Sequence, residues 1–254
     1  MSDSSQLFIG IDISTHRNPF TYAAFTPGLE LLALGAGKIE DVLAYTAGQS
    51  EALVCINAPY QPNLGLMQER SLRQSLFPDL PPGRWTNLRV AEYELHLKGF
   101  HLPKTPGTVE ESPKWMRSGF ETYHHLEKLG YKKFPAQEPE RQLLETSSEV
   151  VFQIWINDGT LLEAKTLEGR LQRQLILYIL GLPVNNPLKI FEEITRHRLF
   201  QGIIPTETIY SPAELNAIAT AYFAWLAFSK PDSIMLIGAE EEGQIALPKE
   251  PLEL

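Results

Sequence analysis

The sequence predicts an α/β fold in which helices flank a mixed sheet, and three observations support this prediction. The chain opens with an apolar, β-branched run at residues 6–14, which is typical of a central strand buried on both faces. A hairpin pattern, a short helical pattern and another buried strand follow it in order. The last third of the chain has the periodicity and the capping residues of helices.

The composition fits one large domain spanning residues 1–254, with 43% hydrophobic and 21% charged residues. No stretch approaches the roughly 18 uninterrupted apolar residues of a membrane span, and residues 1–6 lack the basic region of a signal peptide. Because Cys55 is the single cysteine, no intramolecular disulfide can form, and we expect a cytoplasmic protein. The net charge of -9 does not favour nucleic acid as a partner, and the oligomeric state stays open.

The first part of the chain reads as four strands and one short helix. Pro27 and Gly28 form the turn of the expected hairpin. The predicted elements are strands at residues 6–14, 20–26, 29–34 and 52–57 and a helix at residues 39–47.

An irregular insertion follows at about residues 60–118. It has helical character at residues 64–77 and 88–97, with a proline break between them, and a proline-rich loop at residues 101–113. A stretch of this length and composition inside a compact domain is usually functional or inserted. We therefore predict a single domain that carries a helical and proline-rich insertion.

The remainder of the chain is predicted to be mainly helical. Ser211 and Glu214 form a capping box that opens an amphipathic helix with its apolar residues on one stripe. Asn186 is expected to cap another helix, with Pro187 at the first position. The other predicted elements are helices at residues 115–129 and 167–180 and strands at residues 142–146, 233–238 and 244–247.

Asp12 is the first candidate for chemistry, because a carboxylate in a buried strand is costly unless it is paired or binds a cation. Metal-dependent phosphodiester hydrolysis places several carboxylates around one or two divalent ions, which prefer oxygen ligands. Glu145, in the strand at residues 142–146, fits as a second ligand. We therefore expect Asp12 and Glu145 to bind Mg²⁺ or Mn²⁺. The alternative is a strand-end aspartate that accepts backbone hydrogen bonds from a turn.

The Gly10-x-Asp12-x-Ser14 strand resembles the first strand of two large groups, the ribonuclease H-like nucleases and the actin-like ATPases. In both groups this aspartate works near a metal ion or a phosphate. The order of predicted strands does not separate them. The C-terminal half of the sequence shows no second glycine-rich phosphate loop paired with an aspartate, which makes an actin-like ATPase the weaker alternative.

Over nearly its whole length the sequence also resembles a family of predicted nucleases with a ribonuclease H-like fold, called domain of unknown function 429. The resemblance rests on the order and spacing of five segments. They read FIGID at residues 8–12, VCINAP at 54–59, LETSS at 144–148, KTLEGRLQR at 165–173 and ELNA at 214–217. The family usually has I-D-A-P, E-x-x-P and L-D-A at the second, third and fifth of these segments.

The resemblance implies four catalytic positions, Asp12, Glu145, Asn57 and Asn216, of which only the first two keep an acid. An asparagine can offer a neutral carbonyl ligand, but it adds no charge to hold an ion. Ser148 also stands where proline is usual. The resemblance therefore implies a divalent-metal-dependent nuclease or phosphodiesterase whose catalysis is impaired. A non-catalytic member of the same fold that binds nucleic acid or protein stays open as the alternative.

Three basic residues, Lys165, Arg170 and Arg173, cluster at a predicted helix start and are candidates for substrate binding. Arg170 and Arg173 share a face at i,i+3 spacing and can hold a phosphate backbone, aided by the helix N-terminus. The alternative is a solvated face, which is common for such clusters. His16 is a further candidate for holding a water or a phosphate. Trp85 and Trp115, which flank the proline-rich loop, are candidates for stacking on bases or for packing that loop.

Overall fold

The computed structural model describes residues 6–14, 20–76, 83–136, 140–157, 159–193 and 196–252. The predicted α/β fold is confirmed: the described residues form an eight-stranded mixed sheet flanked by helices, consistent with a ribonuclease H-like architecture. His16 and most of the proline break at residues 78–83 lie outside the described residues. Among the described residues, no helix has the length and the apolar character needed to cross a membrane.

The sheet is built around its first strand. The strands are β1 (Leu7–Ile13), β2 (Phe20–Phe25), β3 (Leu31–Gly37), β4 (Ala52–Asn57), β5 (Lys132–Lys133), β6 (Arg141–Glu145), β7 (Ile234–Ile237) and β8 (Ile245–Pro248). Their order is β3-β2-β1-β4-β6-β8-β7, and β5 also pairs with β6. The β1, β4, β6 and β8 strands run parallel, while β2, β3 and β7 pair antiparallel with their neighbours. The carboxyl ends of β1, β4 and β6 therefore meet at one edge.

Helices cover both faces of this sheet. They are α1 (Ile39–Ala47), α2 (Arg70–Leu76), α3 (Val90–Leu97), α4 (Lys114–Lys128), α5 (Ser148–Ile156), α6 (Leu167–Ile179), α7 (Lys189–Glu193), α8 (Arg196–Phe200) and α9 (Pro212–Ser229). The core on one face joins β1, β4 and β6 to α5, α6 and α9, and the core on the other face joins them to α1 and α4.

Side chains alternate between the two faces of the sheet along β1, and this alternation determines which core each residue packs in. Ile9 and Ile11 pack in the core on the α1 and α4 face, whereas Phe8 packs on the α9 face. Gly10 lets α9 cross β1 at backbone distance, because a Cβ atom there would lie 2.1 Å from the backbone nitrogen of Ala221. Asp12 follows Phe8 and Gly10 by steps of two, so its carboxylate also faces α9.

The α9 helix differs from its predicted character. Its capping box forms as expected, since Ser211 Oγ accepts the Glu214 amide at 3.3 Å and Glu214 accepts the Ser211 amide at 2.7 Å. Its burial is not limited to one stripe, because every residue from Ala217 to Ala224 is buried. The helix is therefore central to the protein, enclosed by the sheet on one side and by α5 and α6 on the other.

Several boundaries also differ from the sequence-based expectation. The helix predicted at residues 64–77 is a short 3-10 turn at Leu66–Gln68 followed by α2. The third strand begins later than expected, because Leu29 takes a positive φ of 60° in the hairpin turn. The α7 helix starts at Lys189, two residues beyond Pro187. The sequence interpretation missed β5 and gave no bounds for α5.

Candidate ligand-binding cleft

A cleft of about 930 Å³ opens at the edge where β1, β4 and β6 end. In open α/β sheets this is the edge at which ligands bind. The predicted site residues that line the cleft are Asp12, Asn57, Glu145, Lys165, Arg170 and Asn216. Arg173 is not part of its lining. The fold thus brings together residues that are up to 204 positions apart in the sequence.

Asp12 is held by the two asparagines that replace the expected acids. Asn57 Nδ2 donates to Asp12 Oδ1 at 2.7 Å, and Asn216 Nδ2 donates to the same oxygen at 3.1 Å. Asn57 is the register partner of Asp12 on β4, and Asn216 projects from the first turns of α9. The amide of Asn57 is oriented by a second bond, because its Oδ1 accepts the Ser148 amide at 2.9 Å. Two N–H groups therefore point at one of the two carboxylate oxygens of Asp12.

Glu145 lies on the other face of the sheet, although it lines the same cleft. Its register partner on β4 is Ile56, which packs in the core beside α4, whereas Asp12 and Asn57 face α9. The Glu145 side chain accepts two hydrogen bonds from Arg89, at 2.7 and 3.0 Å, and one from the Tyr60 amide at 2.9 Å. The bidentate geometry is the strong form of an ion pair.

Arg89 is the residue of the site that sequence reasoning missed. It precedes α3 in the insertion, is 1% exposed, and also donates to the carbonyls of Glu242 and Gly243 at 3.0 and 2.8 Å. Burial alone would lower the pKa of Arg89, but attraction to Glu145 and hydrogen bonds with it raise that pKa above the ordinary value. No sequence motif marks Arg89. The only hint is that a basic residue precedes an apolar helix.

Two buried glutamates attach the insertion to the sheet around Arg89. Glu242 accepts the amides of Leu64 and Val90 at 3.1 and 2.9 Å, and Glu92 accepts the amides of Arg89 and Thr105 at 3.1 and 2.9 Å. Burial raises the pKa of Glu92, and its hydrogen bond with Thr105 and the charge of Arg89 oppose that shift. These bonds attach the described parts of the insertion to the cleft at Leu64, Arg89, Val90 and Thr105.

A divalent ion does not fit the donors that this cleft presents. The Oδ1 atom of Asp12 already accepts two amide N–H groups, and Arg89 already neutralises Glu145. The two carboxylates also lie on opposite faces of the sheet. Within the described residues, no group of three or more histidine, cysteine, aspartate or glutamate side chains is arranged to hold a metal ion. Binding of Mg²⁺ or Mn²⁺ at Asp12 and Glu145 therefore finds no support in this donor set.

The three basic candidates lie in different surroundings. Lys165 is exposed at the cleft, in the turn before α6. Arg170 lines the cleft but donates to the carbonyls of Tyr210 and Ile209 at 2.8 and 2.5 Å, so it also joins α6 to the start of α9. Lys165 is consequently the cation best placed to meet a ligand.

Arg173 lies in the protein core and does not face a ligand. Its side chain is fully buried and donates to the carbonyls of Leu162 and Gly169 at 2.7 and 3.2 Å. It also pairs with Glu149 at 2.8 Å and lies over the ring of Phe152. Its surroundings favour a structural role in place of the expected contact with a phosphate backbone.

The helical side of the cleft carries three helix N-termini and Lys165, and the Glu149 carboxylate also lines it. The first residues of α5 and α9 and the turn before α6 line it, so three helix N-termini lie around one cavity. The partial positive charge of helix N-termini favours anions. Asn216 Oδ1 is a buried atom on this side without a hydrogen-bond partner among the described residues.

Apolar residues also line the cleft. They are Ala58, Pro59, Leu102, Pro103 and Trp115. An indole beside prolines provides a flat surface on which a planar ring can stack. The lining of the cleft therefore combines helix N-termini and Lys165 with an indole ring and prolines. No protein-family model matches the chain, and no curated protein or solved structure matches it either.

Proposed function

We propose that this chain is a non-catalytic member of the ribonuclease H-like fold, related to the predicted nucleases of domain of unknown function 429. In this proposal its cleft binds a phosphate-bearing ligand, a nucleotide or the end of a nucleic-acid strand, without a divalent ion. The observation that carries the proposal is the pairing of Asp12 with Asn57 and Asn216 and of Glu145 with Arg89.

Because of these pairings, neither carboxylate needs a bound cation to offset the cost of its burial. A buried carboxylate is costly until a cation or a set of hydrogen-bond donors stabilises it. The amide groups of Asn57 and Asn216 donate hydrogen bonds to Asp12. The guanidinium group of Arg89 donates to Glu145. Within the protein, Asp12 pairs with the two asparagines, Glu145 with Arg89, and Glu149 with Arg173. The positive charge left to a ligand comes from Lys165 and the helix N-termini. That charge selects an anion.

The size of the cleft limits the ligand. A volume of about 930 Å³ lies in the range of small-molecule sites, which is roughly 300–1,000 Å³. The net charge of -9 opposes tight binding along a long phosphate backbone. One or two nucleotides, with a phosphate near Lys165 and a base against Trp115, fit both limits.

Fluorescence anisotropy with a fluorescein-labelled tetranucleotide in EDTA tests the proposal. We expect saturable binding that unlabelled nucleoside monophosphates compete away. Lys165→Ala should weaken binding roughly tenfold, the value of one hydrogen bond to a charged group. The control is Lys128→Ala, which removes an exposed lysine of α4 that does not line the cleft and should leave binding unchanged. Binding that requires Mn²⁺ and is followed by cleavage would reject a non-catalytic role.

A metal-dependent nuclease is the second candidate, and the retained Asp12 at the end of the central strand favours it. Asn57→Asp with Asn216→Asp separates the two candidates. Both substituted side chains lie on the face of Asp12, so the double variant places three carboxylates around one point. Cleavage by the wild-type chain would favour the nuclease. Cleavage by the double variant alone would favour the non-catalytic role of the wild type.

We also propose that the protein is located in the cytoplasm. Cys55 is a free, buried cysteine, and burial together with the charge of Glu145 raises the pKa of its thiol. A buried, protonated thiol is stable in a reducing compartment and acts as a small core residue.

A further inference from the structure

Two histidines face each other where α3 ends. His96 lies in the last turn of α3, and His101 lies in the loop that follows the helix. Their Nδ1 atoms are 3.4 Å apart, and the centroids of their rings are 5.3 Å apart. His96 is partly exposed and His101 is exposed, so ions in solution can reach the pair. Neutral imidazole is the commonest metal ligand in proteins.

A helix-ending turn brings His101 next to His96. The Gly99 amide donates to the His96 carbonyl at 3.0 Å, and the Phe100 amide donates to the Leu95 carbonyl at 2.9 Å. This is the Schellman pattern, and Gly99 supplies the left-handed conformation that the pattern needs, with a φ of 87°. Leu95 and Phe100 pack in the same apolar core. The backbone positions of both histidines are therefore fixed by local hydrogen bonds and by packing.

The ring of His96 is also supported by a neighbouring indole. The ring centroids of Trp85 and His96 lie 5.1 Å apart, and Trp85 lies in turn 5.8 Å from the ring of Tyr93, which is buried. These contacts restrict the rotation of the imidazole. Since fewer side-chain rotamers are lost on binding, a pre-arranged pair of this kind holds a ligand more tightly than two mobile side chains.

The separation of the two nitrogens matches two ligands of one tetrahedral ion. Zinc binds histidine nitrogens at about 2.0–2.1 Å and is usually tetrahedral, so two of its ligands lie roughly 3.3–3.4 Å apart. A square-planar or octahedral ion holds neighbouring ligands at right angles, which places them about 2.9 Å apart at the same bond length. The 3.4 Å between the Nδ1 atoms of His96 and His101 fits the tetrahedral ion.

We propose that His96 and His101 bind a zinc ion through their Nδ1 atoms. An N–H···N hydrogen bond joins these two atoms, and zinc would take the place of its proton while that ring carries a proton on Nε2 instead. Among the described residues, no third histidine, cysteine, aspartate or glutamate completes a metal-binding group here, so water would fill the other positions. His101 lines the cleft, so the ion would lie at the edge of the cleft.

The imidazole ligands determine which metals the pair can hold. Imidazole suits zinc, copper and nickel, whereas Mg²⁺ and Mn²⁺ prefer carboxylate and water ligands. The pair includes neither Asp12 nor Glu145, the two residues that the sequence predicted to bind Mg²⁺ or Mn²⁺. Zinc binding by the histidine pair is therefore separate from the hydrogen bonding of those two carboxylates, and it does not imply binding of Mn²⁺.

Calorimetric titration of Zn²⁺ into the full chain, after removal of metals with EDTA and dialysis, tests the proposal. We expect one saturable site per chain. His96→Gln and His101→Gln should each weaken Zn²⁺ binding on the order of 100-fold or more, because losing even an outer partner of a metal ligand costs roughly 10–100-fold. The matched control is His124→Gln with His125→Gln, two neighbouring histidines of α4 whose ring centroids lie 6.1 Å apart. This variant should bind Zn²⁺ like the wild type.

Long-range ¹H–¹⁵N NMR of the imidazole rings gives a readout that a merely structural role would not move. With Zn²⁺ bound, His96 and His101 should both carry their proton on Nε2, and circular dichroism melting in EDTA should show that each variant is folded. A wild-type chain that binds no Zn²⁺ saturably would overturn the proposal. So would Zn²⁺ binding that survives both single substitutions, or binding that only the control variant loses.

Discussion

Replacing Asn57 by aspartate should destabilise the protein in a strongly pH-dependent manner. In the wild type, Asn57 donates to Asp12 at 2.7 Å and accepts the Ser148 amide at 2.9 Å. An aspartate keeps the bond from Ser148 but has no N–H for Asp12. Two carboxylates then face each other at hydrogen-bond distance, where only a shared proton relieves their repulsion.

The free energy needed to protonate one carboxyl group sets the size of the expected loss of stability. A carboxyl group with an ordinary pKa near 4 costs about 4 kcal/mol to protonate at pH 7 and about 1.4 kcal/mol at pH 5. The pair in the folded variant has a raised pKa. Its contribution to stability is therefore complete below pH 4 and is lost as the pH rises through the raised value. We expect Asn57→Asp to lower the free energy of unfolding by about 4 kcal/mol at pH 7 and by less than half of that at pH 5.

Urea unfolding at both pH values, followed by tryptophan fluorescence, measures this difference. Asn186→Asp is the control, because Asn186 Oδ1 accepts the Leu188 amide at 3.0 Å and an aspartate can do the same. That variant should keep wild-type stability at both pH values. An equal loss for Asn57→Asp at pH 5 and pH 7 would refute the assigned direction of the bond between Asn57 and Asp12.

Three further changes test other parts of the structure. Arg173→Met should lower the free energy of unfolding by about 3 kcal/mol in urea, because buried carbonyls lose their donor, and should leave tetranucleotide affinity unchanged. Gly10→Ala should cost about 3 kcal/mol or more in the same assay, because its Cβ would lie 2.1 Å from the nitrogen of Ala221. Burial raises the pKa of Glu92 above its ordinary 4.5, so the wild type should lose stability relative to Glu92→Gln as the pH rises through the raised value. Parallel unfolding curves for the last pair across that range would contradict the buried position of Glu92.

The sequence predicted those parts of the fold that one local pattern of residues determines. The apolar runs of β1 and β4 lie at the predicted residues, because burial on both faces leaves an unbroken hydrophobic run. The short helix α1 also lies at the predicted residues. The α5 helix was largely missed because its sequence, SEVVFQIWI, is apolar and β-branched, and periodicity does not separate such a run from a buried strand. Tertiary packing against α9 decides its conformation.

The sequence predicted only part of the candidate site. The meeting of Asp12 with Asn57 follows from the parallel pairing of β1 and β4. The separation of Glu145 from them depends on the register of β6, and a shift of one residue reverses the face of every side chain. Arg89 comes from an insertion whose path the sequence does not encode by any local pattern, so its pairing with Glu145 required the structure.

Calorimetric titration of Mn²⁺ tests most directly the claim that the protein's own groups replace a metal ion. We predict no saturable binding to the wild type, and binding to the Asn57→Asp and Asn216→Asp double variant that Asp12→Ala abolishes. Three carboxylates then face one point, while Glu145 stays with Arg89. Saturable binding of Mn²⁺ to the wild type that Asp12→Ala abolishes would contradict the account.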